Sequence, residues 1–124
     1  MNVQVFDAVK STFNGFCNPP TAQMAAFVRE TDELRDHAED AAECALTSAR
    51  RLGFEAQRHV GELIKDEVHE YLIATGLFME GASVPAGLFQ YAWREINWTE
   101  IAAEFYWAAS DRRDAQLEEQ QTHA

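Results

Sequence analysis

Apolar residues recur at helical spacing along nearly the whole chain, and no stretch alternates as a strand would. Val5, Phe6, Val9 and Phe13 share one side of a predicted helix over residues 3–13. Asn14-Gly15 stops that helix and Pro19-Pro20 blocks its continuation. Thr21 is the expected cap of a short helix holding Met24, Phe27 and Val28. Thr31 is the expected N-cap of the next, with Asp32 and Glu33 in the first turn, where the helix dipole favours acids. At about 100° per residue, Leu34, Ala38, Ala41, Ala45, Ala49 and Leu52 fall on one narrow stripe. Alanine there lets a neighbouring helix approach closely. Arg50 and Arg51 suit the last turn and Gly53 the C′ position.

A further helix fits residues 55–74, with Val60, Ile64, Val68, Tyr71 and Leu72 on its apolar side and Gly76 beyond it. Residues 76–84 read as a loop. Pro85 suits the first turn of a helix carrying Leu88, Phe89, Ala92, Trp93 and Ile96. Asn97 followed by Glu100, flanked by Ile96 and Ile101, combines a capping-box-like pair with a hydrophobic staple. The last helix then buries Ile101, Ala102, Phe105, Ala108 and Ala109. The sequence therefore predicts an all-α fold, a single compact bundle of about five helices over residues 1–117. Residues 118–124 form a polar, fraying tail.

Composition fits this reading. A length of 124 residues suits one core, and a hydrophobic fraction of 47% is ordinary for a globular chain. Net charge is −11, from 21 acidic and 10 basic residues. Such a surface repels nucleic acid and anionic membranes and attracts basic surfaces. The basic residues are scattered, so direct nucleic-acid binding is disfavoured. There is no membrane-length apolar run and no secretory leader pattern, so a cytoplasmic protein is expected. Cys17 and Cys44 fit no metal spacing and read as reduced thiols.

Charge is concentrated in residues 30–43, which hold seven carboxylates against one basic residue, Arg35. On a helix rising about 1.5 Å per residue this is one negative charge per roughly 3 Å, close to the ~3.4 Å spacing of phosphates along a DNA strand. Asp32, Asp36, Glu39, Asp40 and Glu43 lie opposite the alanine stripe, with Glu33 beside them. They form either a solvated face or a surface that docks on a basic groove. A second patch comprises Glu100, Glu104, Asp111 and Glu118 on the last helix. Trp107 projects among them as an interface anchor, or else packs under a neighbouring segment.

Two enzymatic readings are weaker. Asp66-x-x-His69, with His59, Glu62 and Glu70, has the i, i+3 spacing of carboxylate-bridged metal bundles, but the chain holds one such motif and not two. His37, at the edge of the alanine stripe, reads as structural. Glu30-x-x-Glu33 and Glu67-x-x-Glu70 match the one-turn carboxylate pairs by which all-helical nucleotide pyrophosphohydrolases hold magnesium. The second motif closes on Glu70 where that family has Asp, and only Lys65 is nearby for phosphate. No phosphate loop, nucleophile elbow or Cys-His pairing is present. No catalytic residue, metal or cofactor is therefore assigned.

The stretch Thr31-Asp32-Glu33-Leu34-Arg35-Asp36-His37-Ala38-Glu39-Asp40-Ala41-Ala42 resembles the acidic helix of the Ocr-type phage anti-restriction proteins. Val5-Phe6-Asp7-Ala8 is similar to their opening, and Gly53-Phe54-Glu55 falls where that family turns. The resemblance covers at most a third of the chain. It implies an all-helical homodimer that imitates bent B-form DNA and occupies the DNA groove of restriction-modification enzymes. The tail here is less acidic than the family's, which implies a smaller contact surface. The sequence is accordingly read as a small acidic inhibitor of a DNA-recognising defence enzyme. A pyrophosphohydrolase and a helical oligomerisation or adaptor module are the alternatives.

Overall fold

A computed structural model describes residues 15–48 and 53–123. The predicted helix over residues 3–13, and Ala49 to Leu52 with their two arginines, lie outside them. The described residues form five α-helices and no strands: α1 (Pro19–Glu30), α2 (Asp32–Thr47), α3 (Phe54–Ala74), α4 (Val84–Glu95) and α5 (Trp98–His123). The all-α fold expected from the periodicity is what the chain adopts.

Helices α2, α3 and α5 pack mutually, and α1 lies across α2 and α5. Their shared interior is built from Val28 of α1, Leu34, Ala38 and Ala42 of α2, Val60, Ile64 and Val68 of α3, and Ile101, Ala102 and Ala109 of α5, all 2% exposed or less. The alanines do what their size allows, presenting almost bare backbone to neighbouring helices, whose larger side chains fill the space. One close approach is at Gly61 in α3. A Cβ built there would sit 2.8 Å from the Trp98 carbonyl oxygen at the start of α5.

Several local expectations are corrected. Thr21 does not cap α1. Asn18 does, its Oδ1 accepting from the Thr21 N–H at 2.9 Å, with Pro19 and Pro20 in the first turn. Thr21 is fully buried, and its hydroxyl accepts from the Asn97 N–H at 2.9 Å. Thr31 precedes α2, but its side chain makes no capping bond. α2 ends at Thr47, whose hydroxyl turns back to the Cys44 carbonyl at 3.0 Å. Such local side-chain bonds compete with helix continuation. Gly53 opens α3 with φ of 60°.

On α4, Leu88 is 67% exposed and Ala86 is the buried residue, while Phe89 and Trp93 are half-buried. On α5, Ala108 is exposed, and Tyr106 takes a core position instead. Residues 118–123 continue α5, consistent with the good helix formers Ala115 to Gln121 and the absence of glycine or proline there.

Candidate functional site

The N-termini of α1 and α5 are stitched together, and this junction holds part of the predicted second acidic patch. Asn97 caps α5, its Oδ1 accepting from the Glu100 N–H at 3.1 Å. In a full capping box the Glu100 carboxylate would return to the Asn97 N–H. Here Thr21 takes that donor, and Glu100 Oε1 accepts from the Cys17 N–H at 3.0 Å. Asn18 closes the junction by donating to the Glu95 carbonyl at 2.8 Å. Glu100 is therefore a structural acceptor, already engaged.

Partial burial pushes the Cys17 thiol above its ordinary range, and the charge and hydrogen bond of Glu100 push it the same way. Less thiolate is then expected at a given pH, and slower reaction than for an ordinary exposed thiol. Glu100→Gln removes the charge and keeps an acceptor oxygen. In a background with Cys44→Ser, it is expected to speed alkylation of Cys17 at pH 8 by about threefold, followed by thiol titration. An unchanged rate would leave burial as the sole cause.

Helix α2 presents the predicted acidic face. Asp32, Glu33, Asp36, Asp40 and Glu43 are exposed and Glu39 is half-exposed. The buried stripe on the other side fixes this orientation, because turning the helix would bury charge and expose alanine. Asp36, Glu39, Asp40 and Glu43 line one open groove between α2 and α5, closed on the α5 side by Arg112. Arg112 Nη2 lies 3.3 Å from Glu43 Oε1, and Arg113 donates to the Leu46 carbonyl in the last turn of α2 at 3.2 Å. Arg35 sits within the face, 3.0 Å from Asp32, 3.9 Å from Asp36 and 3.7 Å from Glu39. Two guanidiniums thus moderate the repulsion that a bare run of carboxylates would suffer. Glu33 and Asp40 have no ion-pair partner among the described residues.

On α5 the predicted patch divides. Glu104 pairs with Arg29 of α1 at 3.0 Å, tying the two helices together. Asp111 and Trp107 are exposed, Trp107 at 55%. Its ring meets Tyr106 edge-on at 5.3 Å, and most of its surface is open to solvent. Glu104, Trp107 and Asp111 lie within about 60° of one another around the helix axis. They make an outer ridge, with the α2 groove on one flank.

The candidate metal residues are not brought together. His69 turns to an aromatic cluster, 4.6 Å from the Phe78 ring and 6.0 Å from Trp93. Glu62 lies 4.0 Å from Arg58 on its own helix. Among the described residues no group of three or more His, Cys, Asp or Glu is placed to hold a metal ion, and Glu30, Glu33, Glu67 and Glu70 form no such group. His37 Nδ1 lies 3.9 Å from Glu67 Oε2, and its buried Nε2 has no protein partner. The residue is half-buried, as its place at the edge of the alanine stripe implies.

Sequence reasoning missed two participants. Arg112 closes the acidic groove from a helix 69 residues away in sequence, and only folding reveals it. The apolar groove lined by Met24, Phe27, Leu72, Phe89, Trp93 and Ile96, of about 280 Å³, joins three helices in the same way. No helix among the described residues is long and apolar enough to cross a membrane. No family model, curated protein or solved structure matches this chain.

Proposed function

We propose that the protein is a small acidic inhibitor that docks the carboxylate face of α2 on the basic DNA-binding groove of a bacterial defence enzyme. A restriction-modification complex is the type of target envisaged, and the bacterial cytoplasm is the setting. The observation that carries this reading is the α2 face itself. Six carboxylates point outward along one helix, and four of them line a single open groove. Their spacing approximates that of phosphates on one strand, as in the Ocr-type proteins that the sequence resembles.

The groove chemistry suits guanidinium and ammonium ions. Arg112 already occupies one edge, paired with Glu43, which supports this reading. An arginine- or lysine-lined groove on a partner would meet the remaining edge, with Asp40 and Glu33 free to pair. Trp107 and Asp111 extend the contact along α5, with the tryptophan supplying apolar area beside the charged strip. No catalytic residue is assigned in this mode.

Binding of this kind is salt-sensitive and is displaced by DNA. The tagged full-length chain, immobilised and exposed to bacterial lysate, is expected to retain a DNA-recognising complex. That complex should elute at moderate salt and also with added duplex DNA. Retention that ignores both salt and DNA would count against mimicry, and recovery of the chain alone would remove the proposed target class.

A further inference from the structure

Helices α1 and α4 form two walls of the apolar groove of about 280 Å³. They are tied together at one end, where Asn18 donates to the Glu95 carbonyl at 2.8 Å and the Thr21 hydroxyl accepts from the Asn97 N–H at 2.9 Å. From Pro20 and Ile96 at that end, the groove runs past Met24 and Trp93 to Phe27 and Phe89. These four inner side chains are only half-buried, so the described residues leave the apolar surface uncovered. No charged side chain lines the groove, and Gln23 is its one polar residue. Its α4 wall falls within residues 71–93, which carry one charge, Glu80. Phe78, Phe89 and Trp93 pack on one another at centroid distances of 5.0 to 6.2 Å, which stiffens that wall.

We propose that the groove is the docking site of the chain's own N-terminal segment, residues 1–14, returning antiparallel to α1 and seating Val5, Phe6, Val9 and Phe13 between the two walls. The first argument is where the described chain begins. Phe16 is 5% exposed and packs in the core, and the next N–H, that of Cys17, is held by Glu100. Gly15 ahead of them has φ of 87°, a left-handed value of the kind that reverses the chain at a helix end. Residues 1–14 therefore join the bundle only a few positions before Pro20, at the tied end of the groove.

Length and chemistry agree with this occupant. The predicted helix over residues 3–13 spans about 16 Å, against about 10 Å from Pro20 to Phe27 on the α1 wall. An antiparallel return sets Phe13 beside Pro20, Val9 beside Met24 and Phe6 beside Phe27. At about 100° per residue, Val5, Phe6, Val9 and Phe13 fall within a third of the helix circumference, with Asp7 and Ser11 opposite. Asp7 and Lys10 are the only charged side chains in residues 1–14, so the segment carries none of the net charge of −11 and meets the acidic body without repulsion. Its tether at Gly15 gives it a high effective concentration at the groove, ahead of any free ligand. The α2 face takes no part, so the docking does not rest on the inhibitor reading.

Limited trypsin proteolysis of the full chain, read by mass spectrometry, tests this. Lys10 is the only lysine or arginine before Arg29, so release of residues 1–10 reports on the segment alone. Cleavage there is expected to be at least about tenfold slower than in a free peptide of residues 1–16. Phe6→Asp combined with Val9→Asp should bring the rate back to that of the peptide. Ala92→Trp, which fills the groove from the α4 wall, should do the same. Position is read separately, in a background with Cys17→Ser and Cys44→Ser. There Val9→Cys with Met24→Cys should form a disulfide on mild oxidation, and Val9→Cys with Leu117→Cys should not. A parent chain cut at the peptide's rate would overturn the proposal. So would a protected chain that forms no disulfide between positions 9 and 24, since its segment would then be docked elsewhere.

Discussion

Gly61→Val is expected to lower the stability of the domain by roughly 3 kcal/mol, with a fall in Tm of about 10 °C. Gly61 is where α3 meets the start of α5. A Cβ there lies 2.8 Å from the Trp98 oxygen, 2.9 Å from its carbonyl carbon and 3.1 Å from the Thr99 nitrogen. All three are backbone atoms, so none can swing aside as a side-chain tip would. Relief requires the two helices to part, which unpacks Ile64 and Ile101 beside them. It also moves the peptide after Asn97, and with it the α5 cap and the link to Thr21. The gain in helix propensity is only about half a kcal/mol. Gly87 in α4 provides the contrast, since nothing lies within 4 Å of a Cβ built there. Gly87→Ala is expected to raise stability by about 0.5–1 kcal/mol through propensity alone. Thermal unfolding followed by circular dichroism reads both. Equal Tm values for Gly61→Val and the parent chain would mean that the helices do not cross this closely.

Reversal of Asp36, Glu39 and Asp40 to lysine is expected to weaken partner binding by at least about a hundredfold and to flatten its dependence on salt. The three line the groove with Glu43 and Arg112, so the change turns its centre from anionic to cationic. The fold should tolerate it. Asp36 and Asp40 are exposed, and the pairs broken, Arg35 with Asp36 and with Glu39, are long surface contacts at 3.9 and 3.7 Å. Such pairs contribute little to stability. Arg112→Ala should act in the opposite sense, removing an internal cation and leaving the groove more negative. Affinity for a basic partner should then rise about threefold. Titration calorimetry at two salt concentrations, against the complex recovered from lysate, measures all of this. Unchanged affinity in a folded triple variant would exclude α2 as the docking face.

Much of the helical architecture was legible because it follows from local and periodic rules. The apolar period of α3 placed Val60, Ile64, Val68 and Leu72 in the core, and all are buried. The alanine stripe of α2 faced inward as far as Ala45, and its carboxylates faced out, because one helix cannot bury both sides. Asn97 was read as the cap of α5 from its position before an amphipathic run, and it caps. Leu88 and Ala108 were misread because periodicity gives the side of a helix but not whether another element covers it. No described element covers Leu88 or Ala108, whereas Tyr106, on the opposite flank of α5, is covered.

The sequence by itself determined the helical class, the direction in which α2 presents its charge, and the sparse charge of residues 71–93. Each of these follows from residue order within one helix or one segment, where neighbours are fixed by the rise and turn of the chain. Only the tertiary structure decided that Thr21 is buried against Asn97, that Glu100 serves Cys17, and that Arg112 closes the acidic groove. Only it, too, showed that Gly61 lies against the backbone at the start of α5. These pairings join residues dozens of positions apart, and their geometry is set by how the helices cross. That crossing depends on the summed fit of many side chains, which no local pattern encodes.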